Sequence, residues 1–76
     1  YCPHYLGGGI GLVASAHALA AVGGDGILEV DINPNPLRTN LVGDMLTLVP
    51  GMASLGSLPG LGCEPDLATL KKYQVL

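Results

Sequence analysis

A chain of 76 residues that is 49% hydrophobic and 12% charged, with neither Phe nor Trp, is unusual for a free-standing domain. A chain this short buries only about 60% of its extended surface, and the large aromatic groups that anchor small cores are missing. The net charge of −3, with Arg38, Lys71 and Lys72 as the only Lys or Arg residues, argues against a nucleic-acid partner, which needs a basic face.

Twelve glycines and six prolines add to the entropic cost of ordering such a chain. The composition reads as a piece of a larger α/β protein. Cys2 and Cys63 read as reduced thiols of a cytoplasmic protein rather than as a disulfide. Cys2-x-His4 has half the look of a metal site but lacks a second ligand pair. From Tyr5 to Gly24 no residue is charged. A membrane span needs roughly 20 predominantly apolar residues, and glycines, Ser15 and His17 interrupt this run, so a helix packed on protein is expected and no membrane partner.

Tyr1 to Leu6 is short and β-like, with Pro3 confining it to a strand end or edge. Gly7 to Gly9 make a loop. Ile10 to Val22 reads as an alanine-rich helix, apolar nearly all round and stopped by Gly23-Gly24. Ile27 to Val30 is a short apolar strand with one charge, Glu29. Asn33-Pro34-Asn35-Pro36 reads as an extended connector, neither helix nor central strand. Met45 to Val49 and Met52 to Leu55 flank Pro50-Gly51 and predict a β-hairpin. After an irregular Leu58–Gly62, Pro65 suits the first turn of a helix over Asp66 to Tyr73, with Lys71 and Lys72 at its end. The first strand, helix and second strand form a β-α-β unit, whose strands should be parallel neighbours.

The glycine run admits two functions. Gly9-x-Gly11-x-x-Ala14 opens a helix, and Glu29 or Asp31 follows near the distance of a ribose-binding acid, the pattern of an NAD- or FAD-binding Rossmann-type segment. That fold wants a buried apolar strand running into the first glycine, whereas YCPHYL holds a proline and a histidine. The other reading places His4 and Glu29 at the ends of two neighbouring barrel strands. There catalytic groups project into one pocket, and glycines let the loop pass close to a ligand. The residues by themselves leave both readings open.

Three blocks, PHYLGGGIGLVASAHALAA, ILEVDINPNPL and LPGLGCEPDLATLKKY, resemble in order the C-terminal part of the mandelate racemase/muconate lactonising enzyme family of the enolase superfamily. The resemblance implies an α/β fold. Residues 1–36 would be the last strand-helix-strand portion of a (β/α)8, TIM-type barrel. Residues 37–76 would be a tail of hairpin, PGLG loop and short helix, packing on a capping domain. It also implies a Mg2+-dependent enzyme that abstracts the proton alpha to a carboxylate. The substrate would be a small carboxylate or acid sugar, the reaction dehydration or racemisation, and the full-length protein a homo-oligomer. His4 matches the family's strand-seven histidine, which works with an aspartate of the preceding strand to take or deliver that proton. An imidazole can do either near neutrality. Glu29 matches the strand-eight glutamate that hydrogen-bonds the substrate carboxylate as it becomes an enolate. To donate, Glu29 would have to be protonated or share a proton, which burial would favour. The family's metal ligands and Lys-x-Lys motif lie on earlier strands, so no metal or cofactor ligand is assigned here, and the segment by itself is expected to be inactive.

Other polar residues have plainer readings. His17 lies mid-helix in ASAHALAA, a packing position. Asp31 begins the connector and is read as a turn cap. Met45 and Met52 are apolar filler, and Cys2 is read as structural.

Overall fold

The helix that follows the glycine loop organises everything else. The computed structural model describes residues 1–4, 7–42 and 46–76. Helix α1 spans Gly9–Val22, with Gly8 as N-cap and Gly23 as C-cap. It runs one residue longer than the composition suggests because Gly9 itself enters the first turn. Leu12, Val13 and Ala16 are its buried side chains, and with buried Thr69 of the tail they make the core.

On either side of α1 the chain comes together in parallel. Cys2 N–H donates to Ile27 O at 2.9 Å, and Glu29 N–H donates to Cys2 O at 3.0 Å, a parallel bridge between Cys2 and Leu28. The expected β-α-β order is therefore present, but the two strands are reduced to this one bridge. A β-strand gains from a neighbour on each edge, and among the described residues this pair has no further strand beside it. The remainder of the first strand, Tyr5 and Leu6, lies outside the described residues, as does Met45 of the hairpin.

The connector differs from its expected extended form. Pro36–Thr39 is a single helical turn, α2. Asn35 caps it, its side chain accepting from Leu37 N–H, and Pro36 occupies the first turn, where its missing N–H costs nothing. The proline read as a breaker is a helix start. Ahead of α2, Asp31 Oδ1 accepts from Asn33 N–H at 3.1 Å and Asn33 Nδ2 at 2.7 Å, and Asp31 faces Arg38 at 3.5 Å.

Strands β1, Leu46–Val49, and β2, Met52–Leu55, pair antiparallel with Leu46 opposite Leu55 and Val49 opposite Met52. Pro50 holds the first turn position at negative φ, so the mirror-image turns usual in two-residue hairpins are closed to it. Gly51 takes the second position at φ 77°, the conformation of a type II turn. Helix α3, Leu67–Lys72, starts one residue later than read. Asp66 is its N-cap, accepting from Ala68 N–H at 3.0 Å, so Pro65 stands outside the helix rather than in its first turn. The tail returns to the rest of the chain: Asp66 N–H donates to Leu41 O at 2.7 Å, and His17 Nε2 lies 3.2 Å from Leu61 O.

The chain is extended for its length. Its radius of gyration is 12.8 Å, against about 11 Å for a compact domain of this size. Its accessible surface is 5578 Å², against about 4,300 Å² for a compact monomer of this mass. Ile32 is 93% exposed and Val22 84%. No described helix is long and apolar enough to cross a membrane.

Helix α1 meets α2 through a glycine. A Cβ on Gly9 would collide with Val42 Cγ2 and stand 2.9 Å from the backbone oxygen of Arg38. Gly9→Ala should therefore destabilise the folded protein by about 1–3 kcal/mol, the range of an overpacked core. Gly56→Ala, whose added Cβ would meet nothing within 4 Å, should stay within about 0.5 kcal/mol of the parent. Denaturant midpoints of the two variants check both expectations; equal midpoints would mean that the helix contact is not formed.

Candidate active site

The parallel bridge decides which side chains meet. His4 stands two residues after Cys2, and Glu29 one residue after Leu28, so both follow the bridge closely in their segments. His4 Nδ1 lies 2.9 Å from Glu29 Oε1, and His4 N–H donates to Glu29 Oε2 at 3.3 Å. The second carboxylate oxygen also accepts the phenolic hydrogen of Tyr1. Residues 25 positions apart in sequence thus form one acid–base pair. Both side chains are partly open, His4 at 47% and Glu29 at 43% exposure.

Three donors converge on Glu29, and its carboxyl is pulled down to about 2 by the Tyr1 hydroxyl first, then by the His4 ring and backbone. Burial opposes the shift and loses. Donation to a substrate would require Glu29 to carry or share a proton, and in this arrangement its carboxyl is held low as an acceptor of hydrogen bonds. The reason is physical: three hydrogen bonds to the charged form outweigh the modest desolvation of a half-open site. The same contact raises the pKa of His4, through the hydrogen bond to Glu29 and then its charge, with Asp31 adding to it. Tyr1 is raised by its hydrogen bond to Glu29, so the phenol keeps its proton.

Tyr1 was not legible as part of this site. The signal was available only with the pairing known, since the residue before one bridge partner and the residue after the other can face each other.

The remaining residues fall elsewhere. Gly9, Gly11 and Ala14 lie in the first turns of α1. Gly9 is buried beneath Val42 and Arg38, and a Cβ on Gly8 would stand 3.2 Å from Leu37 O. A phosphate cradle needs those backbone N–H groups facing a ligand; here α2 covers the loop at Gly8 and Gly9. Glu29, the acid a ribose would need, is engaged with His4 and Tyr1. His17 is partly buried against Leu61 O, as befits a packing residue. Asp31 closes its turn on Asn33. Cys2 and Cys63 are both free, with Cys2 Sγ 3.8 Å from Ser15 O. Among the described residues no group of three or more His, Cys, Asp or Glu side chains could hold a metal ion, so they do not fit a Mg2+ centre. An open cleft of about 710 Å³ lies between the end of α1, residues 26–30 and the hairpin. Leu19, Ile27, Leu48 and Met52 are typical of its lining, which is wholly apolar or glycine, so it is a packing surface without chemistry.

An imidazole thus lies against a carboxylate beside a parallel bridge that flanks an apolar helix. The family model described as enolase C-terminal domain-like matches residues 1–69, and the chain belongs to this family, within the enolase superfamily. That superfamily generally uses Mg2+. No curated protein and no solved structure matches the chain.

The pair has a defined pH window. The raised His4 contributes its stabilisation in full below 6.5 and loses it as pH rises through the raised value. The lowered Glu29 contributes in full above 4.5 and loses it as pH falls through about 2. Both are complete between 4.5 and 6.5. Glu29→Gln should return the His4 midpoint towards 6.5, as read by NMR titration of the ring protons. An unmoved midpoint would break the assignment of the pair.

Proposed function

We propose that this chain is the C-terminal portion of the barrel of a Mg2+-dependent enolase-superfamily enzyme. The enzyme abstracts the proton alpha to a carboxylate, as an acid-sugar dehydratase or a racemase of the mandelate-racemase-like branch. The observation that carries the reading is the 2.9 Å contact between His4 Nδ1 and Glu29 Oε1 across adjacent parallel segments, within a chain of this family. The apolar surface left open by α1 and the hairpin supports a segment built to meet the rest of a barrel and a capping domain.

His4 is the base. With Nδ1–H directed at Glu29, the lone pair available for a proton is on Nε2. On accepting the alpha proton the ring becomes an imidazolium facing an ionised carboxylate, a better acid–base partner than an isolated imidazole. The electron pair of the broken C–H bond passes into the substrate carboxylate as an enolate. In a dehydratase the beta hydroxyl then leaves, and the His4 imidazolium delivers a proton to it. Glu29 enters as an anion, so it orients the ring and stabilises the imidazolium. The electrophilic role that the resemblance gave it would require a proton that Glu29 lacks in this arrangement. Mg2+ in that enzyme takes its ligands from outside the described residues, and the substrate is a small carboxylate or acid sugar.

In the full-length enzyme, His4→Asn should slow exchange of the substrate's alpha proton by at least ~100-fold, the scale of lost general base catalysis. Deuterium wash-in followed by NMR reads it, and exchange at the parental rate would remove His4 from the reaction. The 76-residue chain by itself should show no Mg2+-dependent turnover of acid sugars. Turnover above a buffer blank would mean that the chain carries a complete site.

A further inference from the structure

We infer that Arg38 is a positioning residue: from α2 it ties the turn that leaves Glu29 to the glycines that follow His4, and so fixes the angle between the two segments. The inference rests on the proposed reading that both segments line one site, and it adds a residue outside that site.

A single bridge leaves the angle open. Cys2 N–H to Ile27 O and Glu29 N–H to Cys2 O join the segments at one point, about which they can swing. A second attachment is needed to set their direction, and α2 supplies it at both ends. On the His4 side its backbone lies directly against the glycines. A Cβ on Gly8 would stand 3.2 Å from Leu37 O, and one on Gly9 2.9 Å from Arg38 O. On the Glu29 side the Arg38 guanidinium reaches back over the turn: Nη2 donates to Asn33 O at 2.6 Å, and Nη1 lies 3.5 Å from Asp31 Oδ2.

Each part of this brace has a physical reason. Asn35 caps α2, and Arg38 N–H donates to Asn35 O at 2.9 Å, so the helical turn holds the Arg38 backbone. Asp31 Oδ1 accepts from Asn33 N–H and Nδ2, which leaves Oδ2 for the guanidinium. The two charged side chains are only 17% and 12% exposed, so water is poorly placed to replace a lost partner. An arginine serves two acceptors from separate nitrogens of one rigid plane, whereas a lysine offers a single compact ammonium.

The test uses the full-length enzyme with Arg38→Ala, Arg38→Lys and Asp31→Asn. Amide hydrogen–deuterium exchange, read by mass spectrometry, should quicken in peptides covering 1–8 and 25–35 and stay unchanged over 10–22. At saturating substrate, alpha-proton exchange should slow by roughly 10–100-fold in Arg38→Ala, the scale of a slightly misplaced reacting group. KM should hardly move, and Arg38→Lys should lose less. Millimolar guanidinium chloride should restore part of the Arg38→Ala rate, and sodium chloride at the same concentration should not. Parental rates with parental protection in Arg38→Ala would overturn the inference, as would protection lost equally across α1. Should Arg38→Ala fail to fold, Asp31→Asn, which keeps the shape and removes the charge at the other end, is read by the same two measurements. If His4→Asn leaves alpha-proton exchange intact, the proposed reaction falls, while local protection of the two segments still decides the role of Arg38.

Discussion

Two backbone hydrogen bonds, Cys2 N–H to Ile27 O and Glu29 N–H to Cys2 O, hold the chain in the form that matters. They close a loop of about 26 residues, whose closure entropy is about 3 kcal/mol plus a constant. Each hydrogen bond contributes about 1 kcal/mol net, so the bridge does not sustain itself. What offsets the difference is the inward face of α1. Burying Leu12 and Val13 contributes about 2 kcal/mol apiece, and that face exists only if the chain crosses over and returns. The site is thus coupled to the packing of the helix: loosen α1, and the contact of His4 with Glu29 opens.

The same coupling explains the glycines and the acidic turn that follows Glu29. Gly9 lets the first turn of α1 lie directly under Val42 and Arg38. Arg38 in turn reaches back, with Nη2 donating to Asn33 O at 2.6 Å and Nη1 facing Asp31. Asp31, Asn33, Asn35 and Arg38 form a continuous set of polar contacts that fixes the direction in which the chain leaves Glu29. Arg38 is consumed in this lock, at 17% side-chain exposure, so the glutamate stays paired with His4 instead of with the arginine. A strand-end acid held by an arginine would have been a structural ion pair. Here it is held by an imidazole and a phenol instead.

Helix α1 was legible because no breaker interrupts Ile10–Val22 and two glycines end it, and the hairpin because Pro50-Gly51 leaves few alternatives. His4 and Glu29 could be paired from the order of elements, since a helix crossover makes the flanking segments parallel. The rest was hidden for identifiable reasons. Helix α2 is one turn long, below the length at which periodicity carries a signal, and its Asn35-Pro36 start looks like a connector. The strands shrank to one bridge because propensity says nothing about how many neighbours a strand has. The donors around Glu29 were not legible because Tyr1 lies 28 residues away, and no local pattern announces a long-range donor.

An ionised Glu29 beside His4 also limits what this segment can bind. In the proposed enzyme a carboxylate substrate approaching the imidazole would meet Glu29 and, next along the chain, Asp31, while Arg38 is occupied by Asp31 and Asn33. Lys71 and Lys72 belong to the last turn of α3, far along the chain from the bridge. Among the described residues the cation next to the substrate's position is His4 itself, and it becomes one only after taking a proton. Two like charges brought that close repel, and more strongly as water is excluded between them. That cost must be offset by positive charge brought from other parts of the enzyme. Cations placed opposite His4 would attract the substrate carboxylate and take up the charge that develops as its alpha proton leaves. On the proposed reading this segment would supply the base and its counter-charge, while the cations facing the substrate would come from elsewhere in the enzyme.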